Sequence, residues 1–321
     1  MFLNVITGVL SRYLSNEGVS LPTLQSGFLY LSLAVVYLPI KFYFFRNAPK
    51  TGVPIWFYAI IAVVDVEGNY FAVKAFNFAN YVTAGLLLNM TVPFAMVLCY
   101  VFLKTRYQWQ HYLGAFIALC GCVVIFATDY NASINSSSTR ELRGDAYSVI
   151  AALFYASSNV MIQSVVKVRD MTANVEMLGC LGFFATIVSL IQILALELDP
   201  IKDAPFNDRV YGYMTGYGVV LFTFYTIVSV FLRLAESLFF NINLLTGPVF
   251  TVVASYLFFD EPVKPWYWGA LALFYIGLTL YALTPAPEEN LKKEMAPSPE
   301  FTEYQTPKNG DVDDLKLSDR V

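Results

Sequence analysis

Asp65, Glu67 and Lys74 stand in the stretch VDVEGNYFAVKAF, within a run of apolar and aromatic residues that begins at Ile55. Side chains of these types can accept a proton or hold a cationic or polar ligand, provided that water or a bound molecule reaches them. At bilayer depth each charge costs about 2.5 kcal/mol or more, so such groups turn toward a cavity or a partner rather than toward lipid. At about 100° per residue, Asp65 and Asn69 share one helix face, whereas Glu67, Tyr70 and Lys74 lie on nearly the opposite one. Glu67 and Lys74 are about 10 Å apart along the axis, too far for a direct bridge, so each needs a partner on another helix or a ligand. Two uses stay open. In the structural one, Lys74 snorkels to the interface and one carboxylate caps a neighbouring helix. In the functional one an acid, Glu67 ahead of Asp65, lies in a water-filled cavity as a proton acceptor or a ligand for a cationic or polar substrate.

Other polar residues interrupt apolar runs and extend the same candidate set for substrate binding and coupling: Asn89 and Thr91, then Tyr155, Ser158, Asn159 and Gln163, then Tyr225, then Asn241, Asn243 and Thr246. Ser and Thr inside helices usually bond back to their own backbone, whereas Asn and Gln are harder to satisfy that way. With 22 Tyr and 27 Phe in the chain, an aromatic wall for a planar ligand is feasible.

The elements that must position these residues are apolar helices. The chain has 321 residues, 57% hydrophobic and only 14% charged, against about 25% charged in soluble domains. Runs long enough to cross a hydrocarbon layer of about 30 Å fall at 24–45, 54–77, 79–103, 111–128, 144–165, 174–195, 212–232, 237–259 and 266–283. A tenth piece, MFLNVITGVLSRYL, lacks the basic and small-residue marks of a signal peptide and reads as a shortened first transmembrane helix. The expected fold is an all-α membrane protein of ten transmembrane helices, multi-pass in the plasma membrane or an endomembrane.

Residues 1–283 read as the transmembrane domain and 284–321 as a cytoplasmic tail. Beyond Thr284 the chain carries nine acids and five bases, which leaves the rest neutral. The tail is rich in Pro, Glu, Asp and Lys, buries too little apolar surface to order itself, and reads as disordered. With both ends cytoplasmic, the basic residues show little bias between loops until Lys292 and Lys293 are counted inside. The same orientation puts the loop 129–144 outside, where Asn131 and Asn135 head two glycosylation sequons. Cys99, Cys120, Cys122 and Cys180 all lie in apolar runs, and His111 is the only histidine. No disulfide framework, metal site or cofactor is expected from them. No basic patch suggests a nucleic acid, and no nucleophile and base are paired as in an enzyme. The expected partners are a small-molecule substrate and the lipid bilayer, with a homodimer left open.

The chain also repeats itself. Aligning residues 89–119 with 245–273 sets Pro93 over Pro248 and Gly114 over Gly269, each pair 21 residues apart. Five helices per copy is odd, so the second copy, 144–283, enters from the side opposite to the first, 1–128. Such inverted repeats place a site near the midplane between the halves. Pro93 and Pro248 mark bending elements. Two small-residue stripes, Gly114/Ala118/Cys122 and Gly269/Leu273/Gly277, predict close packing of the fifth and tenth helices.

VDVEGNYFAVKAF, together with GDAYSVIAALFYASSNVMIQSVVK, LGCLGFFATIVSLIQ and NINLLTG, resembles solute carrier family 35, subfamily F, of the drug/metabolite transporter superfamily. The resemblance runs from the second helix to the tenth. It implies two inverted five-helix repeats with both termini cytoplasmic, and a role in moving small organic solutes such as nucleosides, nucleobases and related metabolites. It places Asp65, Glu67, Asn69, Tyr70 and Lys74 in the signature of the third helix and Asn159 and Lys167 in that of the sixth, with Asn89 where relatives often have an acid. The expected function is alternating-access transport through a central cavity. The alternative is a non-transporting membrane adaptor acting through its acidic tail.

Overall fold

The computed structural model describes residues 2–46, 52–103, 107–136, 140–166, 171–234, 237–259 and 265–284, with side chains at 103, 125, 126, 128–136, 140, 231–246, 248, 278 and 282 left out. The acidic tail, Lys167 and the side chains of Asn131, Asn135, Asn241 and Asn243 therefore lie outside the described residues.

The described residues are helical, with helices α1 (Phe2–Asn16), α2 (Pro22–Phe44), α3 (Ile55–Phe78), α4 (Tyr81–Leu88), α5 (Thr91–Leu103), α6 (Trp109–Ser136), α7 (Arg140–Val166), α8 (Met171–Gln192), α9 (Leu198–Asp203), α10 (Asp208–Leu234), α11 (Ser237–Phe259) and α12 (Pro265–Leu283). Because α4 and α5 form one broken span and a π-helical turn joins α8 to α9, they group into ten rods. Six stretches among the described residues are long and apolar enough to cross a membrane: Pro22–Phe44, Ile55–Phe78, Tyr81–Phe102, Glu141–Val166, Met171–Asp203 and Asp208–Val230.

The break between α4 and α5 follows from Pro93. Proline has no N–H to give to the carbonyl four residues back, and its ring crowds that carbonyl, which belongs to Asn89. Tighter bonds take over around the break, from Val92 N–H to Asn89 O at 3.1 Å and from Met90 N–H to Leu87 O at 3.0 Å. Two carbonyls near the break gain side-chain donors: Asn89 Nδ2 donates to Gly85 O and Thr91 Oγ1 to Leu88 O, both at 2.7 Å. Pro248 produces no such break, since the backbone of α11 stays helical through it.

The principal pairings are α2 with α8, α3 with α7, and α6 with α12. Small residues set how near they come. A methyl at Gly182 on α8 would lie 2.5 Å from Ala34 N on α2, and one at Gly277 on α12 would strike Gly114 O and lie 2.5 Å from Ala118 N on α6. The predicted α6 stripe is therefore in the contact. The predicted α12 stripe is corrected at Gly269 alone, which has nothing within 4 Å; Leu273 and Gly277 face α6, together with Ala270 and Tyr281, which meet Gly121 and Gly114. Gly269 and Gly277 are eight positions apart, which at about 100° per residue turns them about 80° away from each other, whereas Ala270 and Gly277 nearly align.

Two predicted loops are shorter than expected. The helix of α6 runs on to Ser136, so most of the predicted 129–144 loop is helical. After Gln192 the chain passes through one π turn, Ile193–Glu197, into α9. There the buried Glu197 carboxylate accepts Thr23 N–H at 2.7 Å and Leu24 N–H at 2.9 Å. It thereby caps α2, whose own N-cap residue Leu21 offers no side-chain acceptor.

Candidate binding cavity

Asp65 is 2% exposed near the middle of α3, and four other side chains hold it. Tyr30 on α2 and Tyr225 on α10 donate hydroxyl hydrogen bonds to Oδ2 at 2.8 and 2.7 Å, and Ser158 on α7 donates to Oδ1 at 2.7 Å. Asn69, one turn along α3, sends its amide N–H groups toward Tyr30 Oη at 2.7 Å, Tyr225 Oη at 3.1 Å and the Asp65 carbonyl at 3.1 Å. Asn69 Oδ1 accepts Tyr155 O–H at 3.0 Å. The helix period puts Asp65 and Asn69 on one face, and close packing of α3 on α7 brings Tyr155 and Ser158 against it. Three hydroxyl donors on one carboxylate suit its ionised form, because an ionised carboxylate only accepts. Bonds of this charge-assisted kind contribute about 1.5–3 kcal/mol each, which offsets the burial cost.

This cluster forms part of the wall of a cavity of about 380 Å³. The wall is built from α1, α3, α4, α5, α7, α8, α10 and α11. Of the predicted site residues, Asp65, Asn69, Asn89, Thr91, Tyr155, Asn159 and Tyr225 line it. Glu67, Tyr70 and Lys74 are not in its lining. Glu67 is half-buried and accepts a hydrogen bond from Gln192 Nε2 on α8 at 3.3 Å, and the Lys74 ammonium lies 4.9 Å from the centre of the Tyr70 ring. The preference for Glu67 over Asp65 as the cavity acid is thus reversed: residues two apart on a helix point about 200° from each other, and the Asp65 face turns inward. Asn241 and Asn243 belong to the side chains outside the description.

Sequence reasoning missed Tyr30 and Tyr217. Tyr30 is one aromatic among many in an apolar run, and its role depends on a neighbour 35 residues away. Tyr217 lines the cavity near Tyr155 and Tyr225, and no local signal separates it from packing aromatics.

Aromatic rings pack beside the cavity. Tyr213 stacks on Tyr13 with centroids 5.4 Å apart, Tyr13 meets Phe259 at 5.4 Å, Phe259 meets Tyr81 at 5.1 Å, and Tyr81 meets Phe76 at 5.5 Å. Phe76 and Tyr81 also line the cavity. Arg12 of α1 fastens this layer by donating to the Phe76 carbonyl at 3.0 Å, near the end of α3, where a cation is favourably placed. The arrangement can therefore enclose a small molecule between an apolar, aromatic wall and one buried carboxylate.

The family model of solute carrier family 35 (SLC35F) matches residues 1–283. Among curated relatives, the chain is 28% identical over 294 residues to an uncharacterized solute carrier family 35 member of Schizosaccharomyces pombe, with 89% of this chain and 57% of that protein covered. It is 26% identical over 286 residues to solute carrier family 35 member F2 of Mus musculus, covering 87% of this chain and 75% of the mouse protein. The chain thus spans little more than half the length of the yeast relative. A crystal structure of 15% sequence identity shares the fold at a TM-score of 0.58, over 88% of this chain and 96% of that one. The six apolar helices and these matches make the protein an integral, multi-pass membrane protein. With the match running from the first residue to the end of α12, the chain belongs to solute carrier family 35.

Proposed function

We propose that this chain carries small organic solutes across a membrane by alternating access, with the central cavity as its binding chamber. The observation that carries the reading is the cavity itself, a space of about 380 Å³ whose wall draws helices from both halves and meets at the Asp65 cluster. That volume lies in the ordinary range for small-molecule sites and suits planar solutes of the nucleoside or nucleobase kind.

The packing pattern supports two inverted five-helix halves. Exchanging each of the ten rods for the one five places away carries the α3–α7 contact onto α10–α1, the α3–α8 contact onto α10–α2, and the α5–α7 contact onto α11–α1. It returns α2–α8 and α6–α12 to themselves. Such a pseudo-twofold arrangement lets one set of contacts open while its symmetry mate closes. Asp65 then sits where α2 and α3 of one half meet α7 and α10 of the other.

Uptake by proteoliposomes tests the reading. A nucleoside or nucleobase mixture trans-loaded into vesicles should drive counterflow in the intact protein, and Asn159→Ala, which changes the cavity wall without touching the Asp65 cluster, should slow it at least severalfold. Equal rates in vesicles with and without the protein would refute transport.

A further inference from the structure

Within the cavity lining, Asp65 is the one charged side chain among the described residues, and no described cation pairs with it. The lining adds ring faces from Tyr155, Tyr217, Phe224 and Tyr225, and polar groups with no hydrogen-bond partner among the described residues, the Asn159 amide and the Tyr217 and Ser229 hydroxyls among them. One carboxylate, several aromatic faces and a few unpartnered polar groups form a chemical set with a missing member, a positive charge. An anion would meet the carboxylate at close range, and like charges there are strongly disfavoured. A neutral solute would leave the carboxylate balanced by hydroxyls alone.

Building on the carrier reading above, we propose that the cavity takes a monovalent organic cation with a planar body, whose charge reaches Asp65 by displacing the Tyr225 hydroxyl. Tyr225 is the natural group to yield. It lines the cavity itself, is only partly buried, and shares Oδ2 with Tyr30, which does not line the cavity and so holds the carboxylate from behind. Ring faces nearby stabilise the cation further once water is excluded. Displacement has a mechanical consequence: the Tyr225 to Asp65 bond ties α10 to α3, one helix from each half, so loading the charge releases a tie between the halves.

The test uses the full chain, purified in detergent, with three probes that share a ring and differ in charge: 1-methylnicotinamide (cation), nicotinamide (neutral) and nicotinate (anion). Binding should follow charge, with the cation at least tenfold tighter than nicotinamide and nicotinate without effect. Asp65→Asn should bring the cation down to the neutral probe. Tyr225→Phe keeps the ring and removes the competing hydroxyl, so the cation should bind about tenfold more tightly, the factor that about 1.4 kcal/mol makes. Weaker cation binding in Tyr225→Phe, equal binding of all three probes, binding of none, or an equal stabilisation by sodium ions alone would each overturn the inference. The two proposals fail separately. Uptake of 1-methylnicotinamide that ignores Asp65→Asn would end the charge assignment and keep the carrier. Charge-ordered binding with no uptake of any probe would end the carrier and keep the site.

Discussion

Tyr30→Phe isolates the energetics of the buried carboxylate, because it deletes one oxygen and keeps the ring. Tyr30 is 0% exposed; its hydroxyl donates to Asp65 Oδ2 at 2.8 Å and accepts from Asn69 Nδ2 at 2.7 Å. After the substitution Asp65 keeps Ser158 and Tyr225 as donors, and Asn69 keeps Tyr225 and the Asp65 carbonyl as acceptors. Neither survivor is orphaned, so the cost should sit at the lower end of the range for bonds to charged groups, about 1.5 kcal/mol. For a folded unit of this size that corresponds to a fall of about 2–3 °C in unfolding midpoint. The assay is thermal unfolding of the purified protein in a double-mutant cycle with Asp65→Asn. If the bond acts through the carboxylate charge, Tyr30→Phe should cost less than half as much in the Asp65→Asn background. Strict additivity would show that the Tyr30 hydroxyl acts independently of the Asp65 charge and would refute the reasoning.

At the α6–α12 contact, Gly277→Leu should prevent a monodisperse folded protein, because its side chain would meet the backbone of Gly114 and Ala118; Gly269→Leu, in open space on the same helix, should leave size-exclusion behaviour and midpoint unchanged. Glu197→Ala should lower stability by about 2 kcal/mol by leaving the Thr23 and Leu24 N–H groups without their acceptor, while Glu197→Gln, which retains one acceptor oxygen, should lose about half of that; unfolding midpoints measure both. Glu67→Gln should leave counterflow rates within about twofold of the parent, because Glu67 lies off the cavity wall on the α8 side, and deletion of residues 285–321 should do the same, whereas an adaptor acting through its tail would lose its partners.

Much of the scaffold was legible because lipid imposes one requirement over and over, an uninterrupted apolar helix. The run expected at 54–77 is the helix Ile55–Phe78, and that expected at 237–259 is Ser237–Phe259. The Pro93 break was legible because proline acts on its own backbone. Pro248 shares the residue type without the break, which shows that surrounding packing decides whether the lost bond opens the helix. Polar endings misled: LELDPIKD reads as loop, yet the chain stays helical to Asp203, with a buried Glu197 finding acceptor work at the start of α2. In the site, the period of α3 separated Asp65 and Asn69 from Glu67, Tyr70 and Lys74, but which face turns inward depends on α7 and α10, whose approach no local pattern encodes. Tyr30 shows the same limit, since its partner lies on another helix.

Alternating access requires the cavity to be reachable from water on either side of the membrane in turn. With Cys99, Cys120, Cys122 and Cys180 replaced, Asn159→Cys places a single thiol in the cavity wall for membrane-impermeant reagents applied to oriented proteoliposomes. Modification is expected from both faces, slowed by excess transported solute. A thiol that reacts from neither face, in a protein that still shows the native unfolding midpoint, would contradict alternating access.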